Sequence, residues 1–288
     1  MDADKKWVTI QPYIAPCSWD RILAYLARRA IPGVEAVSAT AYRRSVTIDG
    51  AGAILDARPD RDDTGLVISC DVPCGAHIDR LRRQFDLDAD PAVIDSHLAT
   101  DPLLAPLVAQ RPGLRVPKAW DPFELAVRAI VGQQVSVAGA TTVAGRIAER
   151  FGAPLANGDD ELHFLFPTAA RLADADIASL GMPGKRAQAI KGLAAAVTDG
   201  DIVLDGKGGL DETIERLCTL PGIGPWTANY IAMRGLGERD AFPADDLGLQ
   251  RAAAADGGRL TATQLAGMAE RWRPWRAYAA LHLWMSLG

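Results

Sequence analysis

Leu220-Pro221-Gly222-Ile223-Gly224-Pro225-Trp226-Thr227-Ala228-Asn229-Tyr230 opens the stretch whose reading decides the fold; an apolar helix follows, then Phe242-Pro243-Ala244-Asp245-Asp246. Two glycines one residue apart, set between prolines, predict a tight turn whose backbone can approach a ligand closely, and Pro225 is preset for the first turn of the next helix. Such a turn offers backbone N–H groups, a helix N-terminus and a nest of amides to an anion, so a phosphate can be held without Lys or Arg. Beyond it Trp226 and Tyr230, four apart, share one helix face. A Gly stop and a Pro start are also ordinary helix-loop-helix punctuation, so the turn alone decides little.

Three other segments accompany it: Arg128-Ala129-Ile130-Val131-Gly132-Gln133-Gln134-Val135-Ser136-Val137, Leu180-Gly181-Met182-Pro183-Gly184-Lys185-Arg186-Ala187 and Arg271-Trp272-Arg273-Pro274-Trp275-Arg276-Ala277-Tyr278. With the hairpin, and in this order, they resemble the helix-hairpin-helix DNA glycosylases, and within them the 3-methyladenine DNA glycosylase II (AlkA) type. The resemblance runs from about Trp19 to Trp284. It implies a mostly α fold, a helix-hairpin-helix glycosylase bundle in two subdomains with an N-terminal α+β domain carrying an antiparallel sheet. The expected boundaries are 1–90 for the sheet domain, 91–121 plus 239–288 for the subdomain completing the cleft, and 122–238 for the subdomain ending in the hairpin.

At 288 residues the chain is long enough for two or three subdomains, and 49% of it is apolar. With no uncharged apolar run of about 18 residues and no basic-then-apolar leader over Met1 to Ile10, a cytoplasmic protein without a membrane span is expected. Cys17, Cys70, Cys74 and Cys218 are too scattered for a disulfide framework or zinc ribbon, and none follows Cys218 to make the iron-sulfur loop of resembling endonucleases. His77, His97, His163 and His282 show no ligand pairing, so no catalytic metal and no cofactor are expected. The net charge of −5 argues against coating DNA by bulk electrostatics and leaves room for a local, salt-sensitive site among the arginines of the C-terminal third.

Up to about Leu87, a helix from Trp19, with Ser18 as its cap, precedes β-rich runs at Arg44 to Ile48, Ala53 to Ala57 and Leu66 to Asp71, punctuated by Asp49-Gly50 and the Asp60 to Gly65 cluster. From Pro91 the periodicity is helical: Pro91 to Thr100, Pro102 to Gln110, Pro122 to Gln134, Val137 to Phe151, Thr168 to Asp174, Lys185 to Thr198, Asp211 to Cys218, Trp226 to Gly235, Leu247 to Ala255, Thr261 to Arg271 and Trp275 to Met285. Asp121, Ser136, Thr168 and Thr261 stand where N-caps belong.

A glycosylase must anchor phosphate, wedge the stack, hold the extruded base and place charge at the sugar. The resemblance assigns DNA contacts to Gln133, Gln134, Gly222, Gly224 and Thr227, with Gln134 as wedge where some relatives have Leu. It assigns the base pocket to Trp226, Tyr230, Trp284 and Tyr25, whose ring faces attract a cationic alkylated base by about 0.5–2 kcal/mol. Leu247 stands where relatives have a Tyr, so one stacking wall differs. Asp246 matches the catalytic carboxylate, stabilising an oxocarbenium-like sugar and orienting water, while Asp245 is expected to cap the next helix. A strand-cutting relative carries a Schiff-base lysine where this chain has Trp226, and no lysine follows Lys207, so an abasic site in an intact strand is the expected product. A monovalent cation on the backbone carbonyls of Cys218, Leu220 and Ile223 is also implied. The expected partner of a monomeric protein is double-stranded DNA containing alkylated bases. A hairpin module that binds DNA without chemistry, and a glycosylase for deaminated or oxidised bases, are the alternatives.

Overall fold

The computed structural model describes residues 6–254 and 257–287. Its first layer is a five-stranded antiparallel sheet, ordered β1-β5-β4-β3-β2, from β1 (Trp7–Pro12), β2 (Glu35–Val37), β3 (Tyr42–Ile48), β4 (Ala51–Pro59) and β5 (Gly65–Cys70). Asp49 and Gly50 both take positive φ, +49° and +82°, as a tight two-residue hairpin between right-twisted strands requires. Strands β1 and β2 were not expected: β1 turns Val8 and Ile10 outward, 56% and 58% exposed, so its apolar alternation is inverted. Helix α1 (Trp19–Ala27) buries Trp19, Ile22, Leu23, Tyr25 and Leu26. Ser18 occupies the N-cap position without capping, because its hydroxyl donates instead to the Pro112 carbonyl at 2.8 Å. Helix α2 (Ile78–Gln84), also unforeseen, delivers Phe85 edge-on to Trp19 and Tyr42, 5.3 and 5.6 Å between centroids.

The remainder is helical: α3 (Pro91–Leu98), α4 (Ala105–Gln110), α5 (Pro122–Val131), α6 (Val137–Phe151), α7 (Ala169–Ala173), α8 (Gly184–Asp199), α9 (Leu210–Cys218), α10 (Pro225–Ile231), α11 (Leu247–Ala252), α12 (Ala262–Ala269) and α13 (Arg276–Ser286). Asp121, Ser136, Thr168 and Thr261 cap α5, α6, α7 and α12 through their side chains. Helix α4 starts three residues later than expected, since Asp101 first closes a turn on the amides of Leu103 and Leu104. Helix α5 stops before Gly132, leaving Gln133 and Gln134 in a loop. Helix α11 ends at Ala252, with Ala253 as its C-cap, earlier than the expected Ala255, which itself lies outside the described residues. A short pair, β6 (Ala153–Pro154) with β7 (Phe164–Leu165), packs on the sheet. Near it Arg43 of β3 pairs with Asp159 and Glu161. Among the described residues no helix is long and apolar enough to cross a membrane.

Two apolar clusters organise these elements. One joins the sheet and α2 to α4 with residues from Ala232 to Leu283; the other is built within Phe123 to Ile231. Several charged groups buried among these elements are paired. Arg44 of β3 meets Glu124 of α5 at 2.7 Å, and Asp86 receives Lys118 Nζ at 2.8 Å and the Tyr278 hydroxyl at 2.5 Å. Breaking one member of such a pair leaves a charge out of water, which is why these contacts fix the relative placement of sheet and helices.

Candidate active site

The hairpin runs from α9 through Leu220 to α10. Gly222 is left-handed (φ +87°), and a Cβ there would sit 2.7 Å from the Ala189 methyl. Gly224 is extended (φ −100°, ψ 178°) and faces open space, so the amides that start α10 can be approached from outside. Gln133 ties the α5–α6 loop to this turn, its Nε2 donating to the Gly222 carbonyl and to the Thr227 hydroxyl, both at 2.9 Å. Arg186 Nη2 in turn donates to the Gln133 carbonyl at 2.5 Å. Thr227 is buried and engaged by Gln133, so it braces the turn and does not face outward. Gln134 is exposed in the left-handed region (φ +57°), a conformation uncommon outside glycine and one that costs on the order of 1 kcal/mol. Of the three carbonyls expected around a cation, that of Leu220 accepts the Ile223 amide at 3.1 Å.

Trp226, Tyr230, Trp284, Tyr25 and Asp246 converge where the two apolar clusters meet. Trp226 and Tyr230 stack at 5.4 Å with planes 8° apart, and Trp284 meets Tyr230 edge-on at 6.1 Å. Asp246 is half-buried beneath these rings. Its Oδ2 accepts from Trp226 Nε1 at 2.9 Å; its Oδ1 accepts from Trp284 Nε1 at 3.0 Å and from the Leu249 amide at 2.9 Å. Two of those donors arrive from α10 and α13, and the third is the first turn of α11. Asp246 is therefore the N-cap of α11, and the expectation that Asp245 would cap it is corrected: Asp245 is exposed, while Asp246 turns inward because both indoles reach it. Gly248 makes this convergence sterically feasible, since a Cβ there would lie 3.0 Å from Asp246 Oδ1 and 3.2 Å from Leu287. Leu247 is 52% exposed beside the carboxylate.

Arg234, one of the arginines of the C-terminal third expected to serve a local DNA site and given no role in the base pocket, lies in a π turn, Ala232–Leu236, that continues α10. Wide turns of this kind re-aim a side chain by one position. Its Nη1 donates to the hydroxyls of Tyr25 (2.9 Å) and Tyr230 (3.1 Å), and its Nε donates to the Pro117 carbonyl. A lone Arg within Ile231 to Leu236 was the signal available. Burial pushes the Tyr230 phenol up, but the nearby charges of Arg234, Arg29 and Arg128 outweigh it and bring the group down to about 8. Burial raises Tyr25. A cavity of about 310 Å³ lies elsewhere, lined by residues of the α8–α9 connection such as Ile202, Gly206 and Leu217, and contains none of these side chains.

A cluster of aromatic rings over a carboxylate thus includes two rings of the helix, α10, whose start is a glycine turn with open amides. The chain belongs to the HhH-GPD superfamily of base excision DNA repair proteins, whose family model matches residues 127–277, and the AlkA N-terminal domain model matches residues 9–121. Among its relatives, DNA-3-methyladenine glycosylase 2 of Escherichia coli (strain K12) is 38% identical over 280 residues, covering 95% of each chain. The probable bifunctional transcriptional activator/DNA repair enzyme AlkA of Mycobacterium tuberculosis is 40% identical over 278 residues, 96% of this chain; the chain spans 56% of that relative's length. The solved 3-methyladenine DNA-glycosylase from Archaeoglobus fulgidus superposes with a TM-score of 0.84 at 23% identity, each chain covered to 97%, and shares the fold.

Proposed function

We propose that the protein is a monofunctional DNA glycosylase that releases alkylated bases of the 3-methyladenine and 7-methylguanine type from double-stranded DNA and leaves an abasic site. The observation that carries this is the Asp246 carboxylate, held by the indole N–H groups of Trp226 and Trp284, the two rings that pack against Tyr230. A base stacked in that aromatic space brings its sugar to the carboxylate. As the glycosidic bond breaks, positive charge grows on the sugar and the fixed anion stabilises it without having to reorganise; Oδ2, with one hydrogen bond among the described residues, keeps an acceptor site for water. A ring-walled pocket attracts a base carrying a formal positive charge, whose bond to the sugar is also the weaker one.

The glycine turn would grip a phosphate beside the lesion through the amides at Gly224, and Gln134, presented outward, would fill the vacated stack. Trp226 occupies the place where a lyase would need its lysine, which supports water as the nucleophile. We further assign residues 1–90, 91–121 plus 239–288, and 122–238 as the three structural parts of a monomeric, cytoplasmic enzyme. The cap made by Asp246 favours a second reading, in which the residue only shapes α11 and the protein binds DNA without chemistry. Incubation with methylated duplex DNA separates them: free 3-methyladenine and an alkali-labile abasic site are expected, with no borohydride-trapped adduct. Binding without base release supports the second reading, and a trapped adduct overturns the monofunctional assignment. Release of 8-oxoguanine or uracil in preference to alkylated bases would move the substrate class.

A further inference from the structure

A second, smaller chamber of about 30 Å³ lies where β2, β3, the end of α1 and α5 meet Arg234. Its lining includes Arg234 but none of Trp226, Tyr230, Trp284 and Asp246, so it is a space apart from the proposed base pocket. A water needs about 10–15 Å³, which gives the chamber room for about two waters or one monatomic ion. Its walls are strongly basic: Arg29, Arg44, Lys118, Arg128 and Arg234 line it beside only two carboxylates, Glu35 and Glu124. Two of these cations have carboxylate partners, Arg44 in Glu124 at 2.7 Å and Lys118 in Asp86 at 2.8 Å. The direct partners of the other three are neutral. Arg234 bonds the phenols of Tyr25 and Tyr230 and the Pro117 carbonyl, and Arg29 donates to the Tyr25 carbonyl at 3.1 Å. Arg128 Nη2 donates to the Thr141 hydroxyl at 2.9 Å, while its Nη1 is buried without a partner. Glu35, the remaining carboxylate, is taken up by the Tyr42 hydroxyl and the Ile31 amide. Three guanidiniums against one carboxylate leave two positive charges in excess around the chamber.

We propose that this chamber binds a monatomic anion of chloride size, with Arg128 Nη1 as its donor and Arg234 and Arg29 supplying the rest of the positive field. Water would satisfy the free N–H but leave the charges uncancelled, and like charges in a poorly solvated interior repel strongly. A halide does both. The volume rejects phosphate and sulfate, whose four oxygens are each about as large as a water. The chamber lies on the boundary that the Arg44–Glu124 pair also crosses, from β3 of the sheet to α5. An occupied site therefore fastens sheet to helix, and its ligand stabilises the folded chain by mass action. The inference is independent of which base the enzyme removes.

The test is urea unfolding of the intact protein as chloride replaces gluconate at one fixed ionic strength, so that general screening stays constant. Once chloride exceeds its Kd, each further tenfold should multiply the folded-to-unfolded ratio by about ten, and bromide should act alike. Arg128→Gln keeps an amide donor but no charge; it should lack this slope, and its own response subtracts the general effect of exchanging the two salts. Glu35→Gln guards against a variant that does not fold. Its amide can accept from Ile31 and donate to Tyr42, while the opposing charge is gone, so chloride should act at a concentration about tenfold lower. Crystals soaked in sodium bromide should show an anomalous peak beside Arg128 Nη1. Equal stability in chloride and gluconate overturns the proposal, as does a halide slope that persists unchanged in Arg128→Gln. A bromide peak in the chamber without halide-dependent stability marks an adventitious ion only and overturns it too.

Discussion

Replacing Trp226 by Phe removes the only hydrogen-bond donor to Asp246 Oδ2 among the described residues while keeping an aromatic ring against Tyr230. A hydrogen bond to an ionised acceptor is worth about 1.5–3 kcal/mol, and each 1.36 kcal/mol in a barrier is tenfold, so loss of this one should slow base release by about 10- to 150-fold if the bond aims the carboxylate at the sugar. Trp284→Phe should cost less, near the lower end of that range, because Oδ1 retains the Leu249 amide when the second indole N–H is gone. The assay is single-turnover release of 3-methyladenine with enzyme in excess, which isolates the chemical step from DNA binding and product dissociation. In an Asp246→Asn background, Trp226→Phe should add little further loss, since the two residues act as one unit. If Trp226→Phe weakens binding but leaves the single-turnover rate intact, or if its effect simply adds to that of Asp246→Asn, the indole serves as a stacking wall alone and the positioning argument fails.

The two hairpin glycines should behave differently. Gly222→Ala forces a left-handed alanine against the Ala189 methyl and should destabilise the fold by about 2 kcal/mol or more in chemical denaturation. Gly224→Ala, in extended backbone facing open space, should leave stability within about 0.5 kcal/mol yet weaken binding to an abasic duplex, and unchanged DNA affinity would remove the turn from phosphate recognition. Gln133→Ala cuts the loop loose from Gly222 and Thr227; we expect weaker DNA binding together with faster amide exchange at the turn, and unaltered exchange would contradict the tie. His282 is buried in α13, and burial, followed by the Arg111 charge, depresses it from an ordinary 6.5 to about 4. The unfolded chain takes up that proton first, so stability is unaffected above 6.5 and falls as pH drops from there towards 4, by up to about 3 kcal/mol. His282→Asn should flatten that part of the stability curve, and a parallel loss in both proteins would reject the assignment.

Much of this architecture could be read from local chemistry. Asp121, Ser136, Thr168 and Thr261 announce helix starts because capping is a property of a few adjacent residues, and all four cap through their side chains. Ser18 has the same chemistry but a better-placed acceptor, the Pro112 carbonyl, ninety-four positions away. Strand β1 escaped because a sheet edge can turn its β-branched residues to solvent, which reverses the pattern a buried strand would show. The choice between Asp245 and Asp246 as cap has no local signal, since either suits the position. It is made by indoles 20 and 38 residues distant along the chain, which require the fold to exist before they can reach a carboxylate. Arg234 is a similar case, its phenol partners lying 209 and 4 residues away. The rings Trp226, Tyr230, Trp284 and Tyr25 are legible through family resemblance; the buried cations beside them come together only when three helices are assembled.

Single-turnover release from 3-methyladenine duplex by Asp246→Asn, set beside its affinity for an abasic duplex, tests the central claim most directly. The amide can still accept from Leu249 and Trp284 but must turn an N–H₂ towards the Trp226 donor, so a modest loss of stability is expected and circular dichroism should verify the fold. With the anion gone, base release should fall by about 100- to 10,000-fold while DNA affinity stays within a few-fold. Release at the wild-type rate from the folded variant would contradict the account and leave Asp246 as the cap of α11 and nothing more.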